Sequence, residues 1–147
     1  MITKKKGLIA EAMFLSKCVE LGINIFLPYE EKQYYDYIVD FNNKLLRISC
    51  KSGRIEGNSI VASVGSVCYR NGKYCRQADS NLDVYSVYVP QLKNLYLIPY
   101  SKGLSKIDIR MSLNDTNRSK RLNRRSQDHE FTLELFTQIA IICTHIA

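Results

Sequence analysis

The chain has 147 residues, enough at 46% apolar content to fill one hydrophobic core and too few for a multidomain machine. Its 21 lysines and arginines against 14 aspartates and glutamates leave a formal charge of +7, which suits a polyanionic partner without choosing between nucleic acid and a membrane surface. With 24% charged residues and only three prolines it lacks the composition of a disordered chain, and no segment approaches the roughly 20 apolar residues of a membrane span, so one soluble globular domain is expected.

In chain order, Thr3 is expected to cap a helix running to about residue 21, with Leu8, Ala12, Leu15 and Val19 as the stripe that packs on the core and Gly22 as the stop. Residues 23–27 read as a short strand ended by Pro28, and 30–33 as a loop. Residues 34–41 and 44–52 alternate apolar and polar positions across Asn42-Asn43, the pattern of a tight hairpin. Residues 53–58 read as a turn. Residues 60–69 and 73–76 flank Asn71-Gly72 as a second hairpin with a basic, aromatic tip. Residues 84–89 and 95–98, each closed by a proline, are expected to be buried strands, and 107–111 an edge strand. Residues 112–128 are polar and loop-like, and 131–146 form a terminal apolar helix interrupted by Glu134, Gln138 and His145.

The five cysteines, Cys18, Cys50, Cys68, Cys75 and Cys143, are odd in number and contain no CxxC pair, which fits reduced thiols in a cytoplasmic compartment. Cys68 and Cys75 flank Asn71-Gly72 and are placed to face each other across the hairpin, but a zinc site needs four ligands and His129 and His145 are distant in sequence. Small thiols without a metal or redox role are the simpler reading.

The chemistry concentrates on the first hairpin. Asp36 on its first strand and Lys51 near the end of the second converge when the register allows, and Ser49 shares the face of Lys51 at spacing two. Asp40 has the same parity as Asp36 and is the alternative acid. A carboxylate and an ammonium on one rigid surface suit phosphodiester hydrolysis: hard oxygen ligands hold magnesium against a phosphate oxygen, and the ammonium offsets developing charge. Glu11 on the opening helix is placed to add a second carboxylate.

Lys6-Gly7 followed by Glu11 on an opening helix, Pro28 ahead of Tyr35-Asp36, and Ser49-Cys50-Lys51 together resemble the PD-(D/E)XK nuclease superfamily, which includes Holliday junction resolvases and many restriction enzymes. The resemblance covers about residues 3–98 and is closest to the cyanobacterial group I intron-encoded homing endonucleases, in which the core is extended by Tyr-rich strands and a basic polar segment like residues 114–125. It implies a restriction-endonuclease-like α/β fold: a mixed β-sheet flanked by helices, with a basic hairpin and a C-terminal extension over about residues 99–147 for DNA contact and oligomerisation. It also implies Asp36, Glu11 and the backbone carbonyl of Cys50 as ligands of magnesium or manganese, with calcium as a non-catalytic substitute, and Lys51 as the motif lysine. Ser49 departs from the pattern, because the family carries an acid or glutamine there and a serine hydroxyl is neutral and short. Weakened or trapped cleavage is the expected consequence.

Two basic groups are candidate DNA contacts. Arg70, Lys73 and Arg76 lie on the second hairpin, a ribbon narrow enough for a major groove, with the hydroxyls of Ser59, Ser63 and Ser66 nearby in sequence. Arg118, Lys120, Arg121, Arg124 and Arg125 form a run without an acid, suited to tracking phosphates. Membrane binding is disfavoured because neither run adjoins an amphipathic helix. Phe131, Leu135, Phe136, Ile139, Ile142 and Ile146 recur at helical spacing as core, or, where exposed, as a subunit contact. The expected protein is a magnesium-dependent, sequence-specific double-stranded DNA endonuclease working as a homo-oligomer, dimer or tetramer, in a bacterial cytoplasm and nucleoid-associated when bound. The rivals are a Holliday junction resolvase and an inactive DNA-binding protein on a nuclease scaffold.

Overall fold

The structure, a computed structural model, describes residues 2–30, 34–64, 67–70, 72–76, 82–111 and 126–143, with the backbone path alone for 67–70, 73–76 and 126. Helix α1 spans Thr3–Glu20. Thr3 is its first residue and not its cap: Ile2 holds the cap position with extended backbone and no side-chain bond. At the other end Gly22 is left-handed (φ +70°), and the Ile23 and Gly22 amides donate to the Cys18 and Val19 carbonyls at 2.9 and 3.1 Å, a Schellman ending.

The buried face of α1 corrects the expected stripe. Ala10, Phe14 and Cys18 are buried, while Leu8, Ala12, Leu15 and Val19 face solvent, Val19 at 67% exposure. Apolar residues occur on both sides of this helix, so periodicity cannot select one. Aromatic packing does: Phe14 stacks on Tyr37 and Phe131, with ring centroids 5.8 and 5.5 Å away.

Strands β1 (Asn24–Phe26), β2 (Tyr37–Phe41), β3 (Lys44–Ser52), β8 (Val84–Val89) and β9 (Asn94–Pro99) form a five-stranded sheet in the order β1-β2-β3-β8-β9. Its neighbours are antiparallel except β3 and β8, which run parallel, so the sheet is mixed. A second sheet, in the order β10-β5-β4, joins β4 (Arg54–Glu56), β5 (Ser59–Ser63) and the edge strand β10 (Lys106–Arg110). Strands β6 (Val67–Arg70) and β7 (Lys73–Arg76) pair separately as a hairpin, with Cys68 opposite Cys75 in register. Two expectations change here. Residues 53–58 contain strand β4 and not only a turn, and residues 60–69 divide into β5, which belongs to the second sheet, and β6, which makes the hairpin.

Alternation of side chains along the strands creates two cores, one on each face of the large sheet. Toward α1 and α2 (Leu133–Cys143), Val39, Leu46, Ile48 and Leu97 pack with Phe14, Phe136 and Ile139. On the opposite face Tyr85, Val87 and Ile98 pack with Ile60, Ala62, Ile107 and Ile109 of the second sheet. Every residue of β8 is buried, as expected of a strand covered on both faces. The chain leaves β3 for β4 at Gly53, where a Cβ would lie 2.7 Å from Cγ1 of Val87, so any other residue would have to displace that buried side chain. On the terminal helix Phe136 and Ile139 are core, Leu135 is partly buried and Ile142 is half exposed; Ile146 lies outside the described residues. Cys18 and Cys50 are buried free thiols, and Cys143 is free and partly exposed.

Candidate active site

The site begins with a turn. Asn42 and Asn43 both have left-handed backbone (φ 51° and 62°), as a type I′ hairpin requires, and this turn fixes the register of β2 on β3. Tyr37 pairs with Ile48, and the residue just before it, Asp36, also reaches Ile48, donating its amide to the Ile48 carbonyl at 2.8 Å. The Cys50 amide in turn donates to Oδ2 of Asp36 at 2.6 Å, and the Ser49 hydroxyl also hydrogen-bonds this carboxylate. A strand residue directs its N–H and C=O to the same side, so the Cys50 carbonyl is directed to the edge where Asp36 sits. Lys51 follows two residues after Ser49 on the same face of β3.

Glu11 arrives from the other layer. The Tyr37 hydroxyl donates to the Glu11 carbonyl at 3.3 Å, tying this turn of α1 to the start of β2. The carboxylates and the lysine interact electrostatically. Burial pushes the Asp36 pKa up against the opposing pull of the Cys50 amide, Lys51 and Ser49. Burial, then the Asp36 charge, raises Glu11, while Lys51 lowers it. The Tyr37 phenol is pushed up to about 12, first by burial and then by neighbouring acids and thiols that include Cys50, Glu11 and Asp36. The Cys50 thiol is driven up by burial and by the same carboxylates, which keeps it protonated and unreactive.

Glu11, Asp36, Ser49 and Lys51 are therefore brought together at one edge of the large sheet. Asp40 is not among them, being paired with Asn24 and Leu45 farther along β2. Among the described residues no group of three or more His, Cys, Asp and Glu side chains forms a metal cluster. The available set is two carboxylates and a carbonyl, hard oxygen donors of the kind magnesium, manganese and calcium take. The Asp36 charge raises the pKa of partly buried Glu11, a repulsion that a cation between the two acids would relieve. Ser49, at 3% exposure, is packed in this site and supplies only a neutral hydroxyl.

The candidate DNA contacts divide. Ser59 and Ser63 stand on β5 opposite Arg110 and Lys106 of β10, and Ser59 also faces Glu56 of β4. Alternation puts Arg54, Lys106 and Arg110 on the same outer face, a group that no local sequence pattern reveals because its members are dispersed between residues 54 and 110. Arg54 and Lys106 both pair with Glu56 there. Arg70 and Lys73 flank the turn of the β6–β7 hairpin and Arg76 ends it. Ser66, Arg118, Lys120, Arg121, Arg124 and Arg125 lie outside the described residues. Among the described residues no helix is long and apolar enough to cross a membrane.

The sequence matches the PD-(D/E)XK endonuclease family over residues 1–132. The fold is similar to that of a bacterial homing endonuclease, I-Ssp6803I, with a TM-score of 0.69 and 22% identity over 99% of this chain and 97% of that one. No curated protein matches the chain. Because the family match spans most of the sequence, the chain belongs to the PD-(D/E)XK endonuclease family. Nucleases of this family generally use divalent metal ions, and DNA is the substrate class that membership implies.

Proposed function

We propose that this member of the PD-(D/E)XK endonuclease family is a magnesium-dependent, sequence-specific endonuclease of the intron-homing type, acting on double-stranded DNA as a homo-oligomer. The observation that carries the reading is the meeting of Glu11 from α1, Asp36 just ahead of β2 and Lys51 from β3 at one sheet edge, with the charges of Asp36 and Lys51 felt at Glu11. The homing assignment is supported by a fold similar to a bacterial homing endonuclease along nearly the whole chain.

Asp36, Glu11 and the Cys50 carbonyl would hold the divalent ion. When bound, that ion supplies Lewis-acid polarisation of a phosphate oxygen and a more acidic water. The remaining work falls to the chain. The Cys50 amide holds one oxygen of Asp36 and thereby fixes the direction of the other. Lys51 offsets charge developing on the phosphate and orients the attacking water. The pairing of β2 with β3 holds the backbones that carry Asp36 and Lys51 side by side, so less positioning remains to be done at the moment of reaction.

Ser49 weakens this machinery. An acid or glutamine at that position would reach the metal site, whereas the serine hydroxyl is engaged with Asp36. Slow cleavage with binding retained is the expected behaviour. Arg70, Lys73, Arg76 and the basic run from Arg118 to Arg125 would hold DNA, joined by Arg54, Lys106 and Arg110 around Ser59 and Ser63. Cutting both strands calls for two sites, and half-exposed Ile141 and Ile142 on α2 offer apolar surface for a second copy. The working location would be the bacterial cytoplasm, on the nucleoid.

Incubating the chain with a random duplex library and with four-way junctions, in magnesium or manganese, tests the reading. Cuts at defined duplex sites support it. Cuts in junctions alone replace it with a resolvase, and binding without cuts replaces it with a DNA-binding protein on a nuclease scaffold.

A further inference from the structure

Gly7 is a helical glycine without a packing reason. It lies within α1 and is not among the glycines of positive φ, in a setting where alanine is the better helix former. A Cβ there would meet nothing within 4 Å, in contrast to Gly53. Neither the backbone nor neighbouring side chains account for the missing methyl.

Its place does. Gly7 precedes Glu11 by four residues and Lys4 precedes it by seven, so all three lie on one row of the helix. Helical side chains lean toward the N-terminus, which brings the Glu11 side chain over the turn that Gly7 leaves bare. Lys4, Lys5 and Lys6 are exposed, the first turn contains no acid, and none of the three joins an ion pair among the described residues. At about 1.5 Å per residue the row from Lys4 to Glu11 covers about 10 Å, comparable to about three base-pair rises of 3.4 Å along a duplex axis. The Tyr37 bond to the Glu11 carbonyl fixes this row to β2.

We propose that the sugar–phosphate backbone of DNA passes against α1 at Gly7, whose missing side chain lets the strand reach Glu11 while Lys4, Lys5 and Lys6 hold the adjoining phosphates. Gly7 is thus a positioning residue, and the inference rests on the endonuclease reading above. Its test compares the full chain with Gly7→Ala, Gly7→Leu and a Lys4→Gln/Lys5→Gln/Lys6→Gln triple variant, by melting and by binding of a mixed-sequence duplex in calcium across a salt series. Gly7→Ala should raise Tm by roughly 2 to 4 °C. Gly7→Leu should melt no lower than the unmodified chain yet bind about tenfold more weakly, a loss of about 1.4 kcal/mol. The triple variant should reduce the slope of log affinity against log salt by about two to three. Unchanged binding by Gly7→Leu, a joint loss of stability and binding, or an unchanged salt slope in the triple variant overturns the proposal. If the unmodified chain binds no duplex, the endonuclease reading falls first and this inference with it; if it binds and the variants match it, this inference alone falls.

Discussion

The amide of Cys50 donates a 2.6 Å hydrogen bond to Oδ2 of Asp36, joining the residue ahead of β2 to the last part of β3. This bond orients a carboxylate that burial makes costly to charge. In a folded chain without metal, Asp36 and Glu11 therefore have pKa values above their ordinary 3.8 and 4.5. An acid with a raised folded pKa binds more protons folded than unfolded, so its stabilising contribution is present below the ordinary value and disappears as pH rises through the folded one.

Asp36→Asn should accordingly raise Tm at neutral pH in chelator, since asparagine still accepts from the Cys50 amide without carrying charge. The same variant should lose the rise in Tm that magnesium or manganese is expected to give the unmodified chain. Melting curves with and without metal across the acid range check both signs. A variant that melts lower in chelator, or keeps its full metal response, contradicts the site.

Removing Lys51 should affect chemistry more than binding. Lys51→Met is expected to lower metal-dependent cleavage by roughly two to three orders of magnitude, the scale of losing one stabiliser of developing charge. Because Lys51 pulls the pKa of both acids down, the acidic limb of metal binding should also move to higher pH. Titration of metal-dependent Tm against pH separates this shift from a simple loss of activity.

At position 49 the expected change is a gain. Ser49→Asp, Ser49→Glu or Ser49→Gln should increase magnesium-dependent cleavage by roughly tenfold or more, on the scale seen when a metal site's supporting group is changed. Single-turnover cleavage of a duplex substrate measures it. No gain from any of the three would show that Ser49 does not limit cleavage.

The buried face of α1 can be tested by stability alone. Phe14→Ala should cost about 3 to 5 kcal/mol, because the ring is fully buried between Tyr37 and Phe131. Leu8→Ala and Val19→Ala should fall within about 0.5 kcal/mol of the unmodified chain, as exposed helix positions do. Urea unfolding distinguishes the two faces, and equal losses would contradict the packing.

If the basic run holds DNA as proposed, it acts through counterion release. Replacing Arg118, Lys120, Arg121, Arg124 and Arg125 by glutamine should flatten the salt dependence of duplex binding by about 0.9 for each phosphate that is no longer neutralised. A binding series in calcium over several salt concentrations reads this directly, and an unchanged slope assigns DNA binding to other residues.

Local chemistry written in the sequence determined the parts that depend on near neighbours. Asn42-Asn43 adopts the left-handed pair that a two-residue hairpin needs, and alternation on either side sets which residues share a face, so the Asp36, Ser49 and Lys51 grouping is legible in the sequence itself. The two strands closed by Pro90 and Pro99 are equally clear as buried runs. Tertiary structure decided what required a choice among chemically similar alternatives. The helix is apolar on two sides, and the aromatic stack of Phe14 with Tyr37 and Phe131 selects the inner one. Residues 53–69 carry strand signals that pair with any suitable edge, and β5 pairs with β4 and with β10, about 45 residues on, in place of the nearby hairpin. The arrival of Glu11 beside Asp36 likewise depends on α1 docking through Tyr37, a contact between residues 26 apart that no local pattern encodes.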